Sequence, residues 1–402
     1  MARPLFLTGL ARGGTNLLAR MLIAGGASQI AIHAFLPWFK SLRNALVLRH
    51  GTPELLQWFD PESPFGDGHF DDRDNRVQGI LHGATIDVSF LEREWPDLLP
   101  RLQSRASHDA AHLCPGFATL AGETGYREMM DRILALVLQG HDAGTEFVGL
   151  IDTWIVDLLP ALARTYPDAC FVVVIRDPRA IIASTLKFLE TSPDQVGCPL
   201  SIMRQWRKFV ALSYEFQRAP LFAGRLQLVR YEDQVAEPAM FARRLCEFLD
   251  LPYNPAMIDF AAYVDQSRHQ AWSGNSAFEA RLHGIDSGPV ERWRKTLEPN
   301  ALAAIEFCCS ADMNVCGYTL AGAIRQDAAE SATRAYLADI SARDWAWRTD
   351  TRDAEVEFGR ELLRGSLASN STNEPDSQIR KAFLSPAYFD LIRSRGTLFP
   401  PL

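Results

Sequence analysis

Eight residues near the start of the chain, Gly9-Leu10-Ala11-Arg12-Gly13-Gly14-Thr15-Asn16, combine three glycines, one guanidinium and two small polar side chains. Glycines let backbone N–H groups turn toward an anion, an arginine offers a planar fork of donors, and Thr and Asn add single hydrogen bonds. Such a set is suited to binding phosphate or sulfate oxygens. It is not a GxxxxGK[ST] loop: Thr15 directly follows Gly14, so the lysine of nucleoside triphosphatases is missing and Arg12 is the nearest cation. A second cationic cluster, Arg176-Asp177-Pro178-Arg179, is followed by Ser184 eight residues beyond Arg176, a spacing that lets both reach one phosphate.

These groups need rigid elements behind them. The apolar run Pro4 to Thr8, the glycine turn and the segment Asn16 to Ile23 read as strand, loop and helix. Ala169 to Ile175 is continuously apolar and β-branched, as a buried parallel strand should be, and Pro178 suits the first turn of a following helix. Arg225 to Tyr231 and Phe147 to Ile151 give two further strands. Strands alternating with helices predict an α/β fold, three layers around a central parallel sheet, with ligands beyond the carboxyl ends of the strands. The expected organisation is one domain over 1–320, with a largely helical and looped insertion at about 50–145 and a helical extension over 321–402. Pro53 to Gly83, dense in Asp, Gly and Pro, reads as a loop, 84–140 as a helical lid, and 366–377 as a polar linker.

With those motifs in place the chain resembles the family of sulfotransferases that use 3′-phosphoadenosine-5′-phosphosulfate (PAPS), which have a P-loop-like fold. Leu5 to Asn16 is similar to the family's 5′-phosphosulfate loop, and Val174-Ile175-Arg176-Asp177-Pro178-Arg179-Ala180-Ile181-Ile182-Ala183-Ser184 to its 3′-phosphate motif. Leu228 to Asp233 resembles the strand carrying an adenine-contacting tyrosine, here Tyr231, and Glu291 to Lys295 resembles the late basic motif, here Arg294 and Lys295. The resemblance implies transfer of a sulfuryl group from PAPS, leaving 3′-phosphoadenosine-5′-phosphate (PAP). Arg12, Gly13, Gly14, Thr15 and Asn16 would hold the phosphosulfate; Arg176, Ser184, Arg294 and Lys295 would hold the 3′-phosphate. Ala11, Gly13 and Asn16 depart from the usual proline, serine and second threonine, and Thr296 stands where a glycine often follows the Arg-Lys pair.

An acceptor hydroxyl or amine needs a general base. Relatives often place a glutamate beyond the phosphate loop, and His33 is the nearest titratable residue there; a histidine in an apolar run also serves as a packed core residue. Asp152, where relatives often carry a Lys-Thr pair, ranks second and equally suits helix capping. The lost lysine leaves Arg12 as the expected cation at the transferring group.

A net charge of −8 and the absence of an extended basic field exclude general affinity for nucleic acid or acidic membranes. No secretion signal or membrane-length apolar run is read, and seven cysteines without a CxxC pair suggest reduced thiols in the cytoplasm. His108 and His112 sit four apart and could share a metal, but their segment reads as a solvated helix start, and the Asp71-Asp72-Asp74 turn matches no calcium-loop spacing, so no metal is expected. The acceptor is left open among small-molecule, carbohydrate and peptide classes, and a homodimer is compatible. A nucleotide kinase and a catalytically silent nucleotide-binding scaffold remain the alternatives.

Overall fold

The computed structural model describes residues 2–68, 72–122, 124–139, 144–268, 270–279, 283–369 and 376–395. His69 to Asp71 of the acidic turn and 370–375 of the polar linker fall outside these residues. In chain order the first elements are β1 (Arg3–Gly9), α1 (Thr15–Ala24), β2 (Ser28–Ile32), α2 (Leu36–His50), α3 (Pro53–Trp58), α4 (Asp72–Gly83), α5 (Trp95–Asp109) and α6 (Tyr126–Leu138). There follow β3 (Phe147–Thr153), α7 (Leu159–Thr165), β4 (Cys170–Ile175), α8 (Pro178–Leu189), α9 (Pro199–Arg218), β5 (Leu226–Arg230), α10 (Tyr231–Ala236) and α11 (Pro238–Leu249). A short ribbon of β6 (Val264–Asp265) and β7 (Gln270–Ala271) precedes the small helices α12 (Gly288–Glu291) and α13 (Trp293–Thr296). The chain ends in α14 (Pro299–Val315), α15 (Gln326–Ser341), α16 (Ala354–Ser369), α17 (Asp376–Phe383) and α18 (Pro386–Arg395).

The chain divides into two compact units: Met1–Pro61, Arg76–Ile175 and Phe216–Ser287 form one, and Glu62–Asn75, Arg176–Glu215 and Gly288–Leu402 the other. The first holds the five-stranded sheet, all parallel, in the order β2-β3-β1-β4-β5. All four strands expected from sequence are present, and β2 is an addition. The reason for the sheet's position is plain in burial: Leu5, Phe6, Leu7, Leu150, Ile151 and Phe171 are fully enclosed, and Phe6 stacks on Phe171 with ring centroids 5.7 Å apart. Because β1 lies between β3 and β4, the chain leaves β1 toward one side of the sheet and later returns to the other. That reversal is the switch point where α/β sheets take ligands.

The second unit is helical and is built on buried ion pairs. Arg204 on α9 bridges Asp67 and Glu357, and Arg207 one turn later makes a fork with Glu361, its Nη2 lying 3.0 Å from Oε1. Arg364 on α16 pairs with Asp312 of α14 at 2.7 Å, and Tyr388 donates to the same carboxylate at 2.8 Å. The C-terminal helices are thus fixed by charge as well as by apolar packing.

The stretch read as an inserted loop is partly helical. Pro53–Trp58 forms α3, whose Thr52 hydroxyl accepts from the Leu55 N–H at 3.3 Å, and Asp72–Gly83 forms α4. Val77, Ile80 and Leu81 recur at helical spacing there, a signal masked by the surrounding Asp and Gly residues. The segment beyond it is helical, as expected, through α5 and α6.

Candidate functional site

In the first unit, β1 delivers the chain into the Gly9–Asn16 loop and α1 begins at Thr15 with no acidic residue in its first turn and no side-chain cap. Its opening N–H groups are therefore left for an anion. Arg12 and Gly14 have φ of 65° and 92°, left-handed conformations that turn the loop back sharply. Gly14 is required for a second reason: a Cβ there would lie 2.2 Å from the Tyr231 ring. Tyr231, the first residue of α10 and largely buried, is the residue against which the phosphate loop is packed. Arg12 turns its guanidinium to Asn275, with contacts of 3.1 Å to Oδ1 and 2.9 Å to the carbonyl.

The ends of β2 and β3 bring the two candidate bases to the same side. His33 follows β2 directly, at φ 51°, and its backbone N–H donates to the Ile151 carbonyl at 2.8 Å. Its Nε2 is 3.4 Å from the Thr15 hydroxyl, so the imidazole lies against the phosphate loop. Asp152 is the sixth residue of β3, paired in register with Thr8 of β1, and is fully buried. Its carboxylate accepts the Phe35 N–H at 2.9 Å and also bonds to that of Leu36, so it caps α2. The capping expected of Asp152 is therefore real, but the helix it serves is α2 and not a helix following it in sequence.

Burial decides the electrostatics of both groups. It pushes His33 down to about 3, with the charges of Arg105 and Arg20 acting in the same direction, so the imidazole is neutral in ordinary solution. The same effect pushes Asp152 up to about 7. Arg105 and the two backbone donors oppose that rise and Asp109 adds to it; desolvation wins. Its second oxygen, Oδ1, is enclosed without a partner, as are His33 Nδ1 and Asn16 Oδ1. Three enclosed polar atoms without partners in the elements surrounding one loop are what a polar ligand site looks like before it is filled.

The second unit contains the other predicted set. Arg176, next in the chain after β4, is almost wholly buried, donates to the Pro289 carbonyl at 3.3 Å and through its own carbonyl accepts the Trp206 indole N–H at 2.8 Å. Ser184 is buried on α8. Arg294 and Lys295 are exposed on α13, where Arg294 pairs with Glu291 and lies 4.4 Å over the Trp293 ring. Arg179, grouped from sequence with the phosphate-edge cations, has a different role. It forks onto Asp177, pairs with Glu306 at 2.6 Å and stacks on Trp293 at 4.0 Å, so its donors are engaged in holding α8, α13 and α14. Trp38 packs edge-on against Phe39 and Tyr126, and Trp272 lies tilted against Phe260 and Tyr263. Among the described residues no cluster of metal-binding side chains occurs, and no helix is long and apolar enough to cross a membrane.

A sequence model described as "Sulfotransferase family" matches residues 4–255, more than half of the chain. The chain belongs to the sulfotransferase family. Over 206 residues it is 26% identical to carbohydrate sulfotransferase 3 of Mus musculus, covering 48% of this chain and 42% of that protein. Over 105 residues it is 29% identical to a protein-tyrosine sulfotransferase of Drosophila melanogaster, covering 25% of this chain and 20% of that protein. The chain thus spans less than half the length of these curated relatives. Among solved structures, the sulfotransferase domain from the curacin biosynthetic pathway aligns over 80% of this chain and 99% of that chain, at 15% identity and a TM-score of 0.46.

Proposed function

We propose that the protein transfers a sulfuryl group from PAPS to a hydroxyl-bearing acceptor and needs no metal. The observation that carries this reading is the meeting of an open helix N-terminus with two titratable groups at the ends of β1, β2 and β3, in a chain of the sulfotransferase family. PAPS, when bound, supplies an activated sulfuryl group with PAP as its leaving group. Gly13, expected from sequence among the donors, gives its own N–H to the Leu10 carbonyl at 2.9 Å and so is not a donor for the ligand; the N–H groups of Gly14 and Thr15, with the Thr15 hydroxyl and Asn16 amide, suit the 5′-phosphosulfate. On motif grounds Arg176, Ser184, Arg294 and Lys295 are assigned to the 3′-phosphate.

In the transfer, the acceptor oxygen forms its bond to sulfur as the bond from sulfur to the 5′-phosphate oxygen breaks, and the acceptor proton passes to a base. Asp152 suits that role better than His33. A base works best when its proton affinity lies near the working pH, and Asp152 is pushed up to about 7 while His33 is pushed down to about 3. His33 then orients Thr15. The acceptor belongs to the carbohydrate, peptide or small-molecule hydroxyl classes, and seven cysteines outside any disulfide, six of them buried, support a reducing, cytoplasmic setting.

Calorimetric titration of PAP into the wild type and Arg176→Ala, without added metal, tests the donor half. Micromolar binding that the substitution removes is expected. A folded wild type that binds no PAP would end the sulfotransferase reading.

A further inference from the structure

Helix α5 carries a cation that belongs to neither phosphate motif. Arg105 lies near the end of this helix, half-buried, beside Leu102, Ala106 and Ala110, which are fully enclosed. An arginine near the C-terminal end of a helix is often explained by the helix dipole alone, with water as its partner. Here that account falls short: Nε is enclosed and unbonded, and among the described residues no carboxylate approaches the guanidinium closely enough for an ion pair. Asp109, one turn on, is near enough to feel its charge without bridging to it.

The direction in which Arg105 acts is known from its neighbours. Helix α5 packs against α2, whose start Asp152 caps through the Phe35 N–H, and Phe117, just beyond α5, meets the Phe35 ring edge-on at 5.6 Å. Arg105 is thus near enough for its charge to bear on His33 and Asp152, and His33 Nε2 is in turn 3.4 Å from the Thr15 hydroxyl. Its charge therefore reaches the side of the loop where an acceptor and the sulfuryl group would meet. Of the other cations near that side, Arg12 has its guanidinium on Asn275 and Arg20 donates to the Val264 carbonyl. The strand position that resembles a Lys-Thr pair is occupied by Asp152 and Thr153.

We propose that Arg105 binds the sulfonate oxygens of the donor, supplying from α5 the cation that the end of β3 lacks. This rests on the sulfuryl-transfer reading above. A guanidinium presents two parallel donors at the spacing of two sulfonate oxygens, and it stabilises the negative charge those oxygens hold while sulfur is between its two partners. The bonds formed and broken at sulfur are those already stated; Arg105 keeps its proton throughout.

PAPS carries the sulfonate and PAP does not, so the pair of ligands isolates this contact without any acceptor. Binding of PAPS and of PAP is measured in the cold for the wild type, Arg105→Gln and Arg105→Lys, with a thermal melt of each variant. Arg105→Gln should weaken PAPS by about 10- to 100-fold, the range for hydrogen bonds to charged groups, and PAP by less than about twofold. Arg105→Lys should fall between wild type and Arg105→Gln for PAPS. Equal loss of both ligands would show that Arg105 merely supports the fold, and loss of neither would leave it a helix-end cation; either result overturns the proposal while the donor site stands. A wild type that binds neither ligand would overturn the underlying reading as well.

Discussion

Replacing Asp152 by Asn should make the protein more stable and less active at once. The folded state holds the Asp152 proton up to about pH 7, whereas the unfolded chain releases it near the ordinary 3.8. Between those values the folded state binds more protons than the unfolded state, so wild type loses stability as pH rises, and the loss is complete above pH 7. A shift of about three units at about 1.4 kcal/mol each gives about 4 kcal/mol at pH 8. At pH 5 only about 2 kcal/mol of that penalty applies. Asn keeps an oxygen for the Phe35 N–H, bonded at 2.9 Å in the wild type, and carries no charge to desolvate. Urea unfolding of wild type and Asp152→Asn at pH 5 and pH 8 measures the effect. The variant's advantage should be about 2–3 kcal/mol larger at pH 8, alongside loss of sulfuryl transfer to a responsive acceptor. An advantage independent of pH, or a variant less stable than wild type at pH 8, would refute the argument.

Two further outcomes follow from the packing. Gly14→Ala adds a Cβ 2.2 Å from the Tyr231 ring at a φ of 92°, so PAP binding should fall at least tenfold, with a lower Tm; adding Tyr231→Ala should recover part of the stability and little of the binding. Arg207→Ala leaves Glu361 buried without its fork, which should cost about 3–5 kcal/mol in chemical denaturation.

How much of this was legible in the sequence depended on the range of each interaction. Four strands announced themselves through long apolar or β-branched runs. β2 did not, because Ser28-Gln29-Ile30-Ala31-Ile32 offers only three apolar residues in a row and takes its strand form from pairing with β3. The Gly25-Gly26 pair that ends α1 was the available signal. The loop at Gly9–Asn16 could be read as a strand-to-helix turn because its signals are local: glycines, a helix start and small polar side chains in eight residues. Which helix Asp152 caps could not be read, since the N–H it accepts from lies 117 residues away. Arg105 gave no sequence signal at all; an arginine near the end of an amphipathic helix reads as surface. The reassignment of Arg179 has the same origin, its partner Glu306 being 127 residues downstream.

The fork between Arg207 and Glu361 also sets a timetable for biosynthesis. Arg207 is fully enclosed in the finished protein, yet its carboxylate partner is encoded 154 residues later. At a synthesis rate of about 5–20 residues per second, Arg207 leaves the ribosome about 8–30 s before Glu361 exists. Over that interval α9 cannot be buried without stranding a charge, so the helical unit must wait for α16, while the strands of the parallel sheet have all been synthesised by residue 230. Assembly of the chain should therefore run from sheet to helices, and interruption before α16 would leave the arginine face of α9 open to solvent and chaperones.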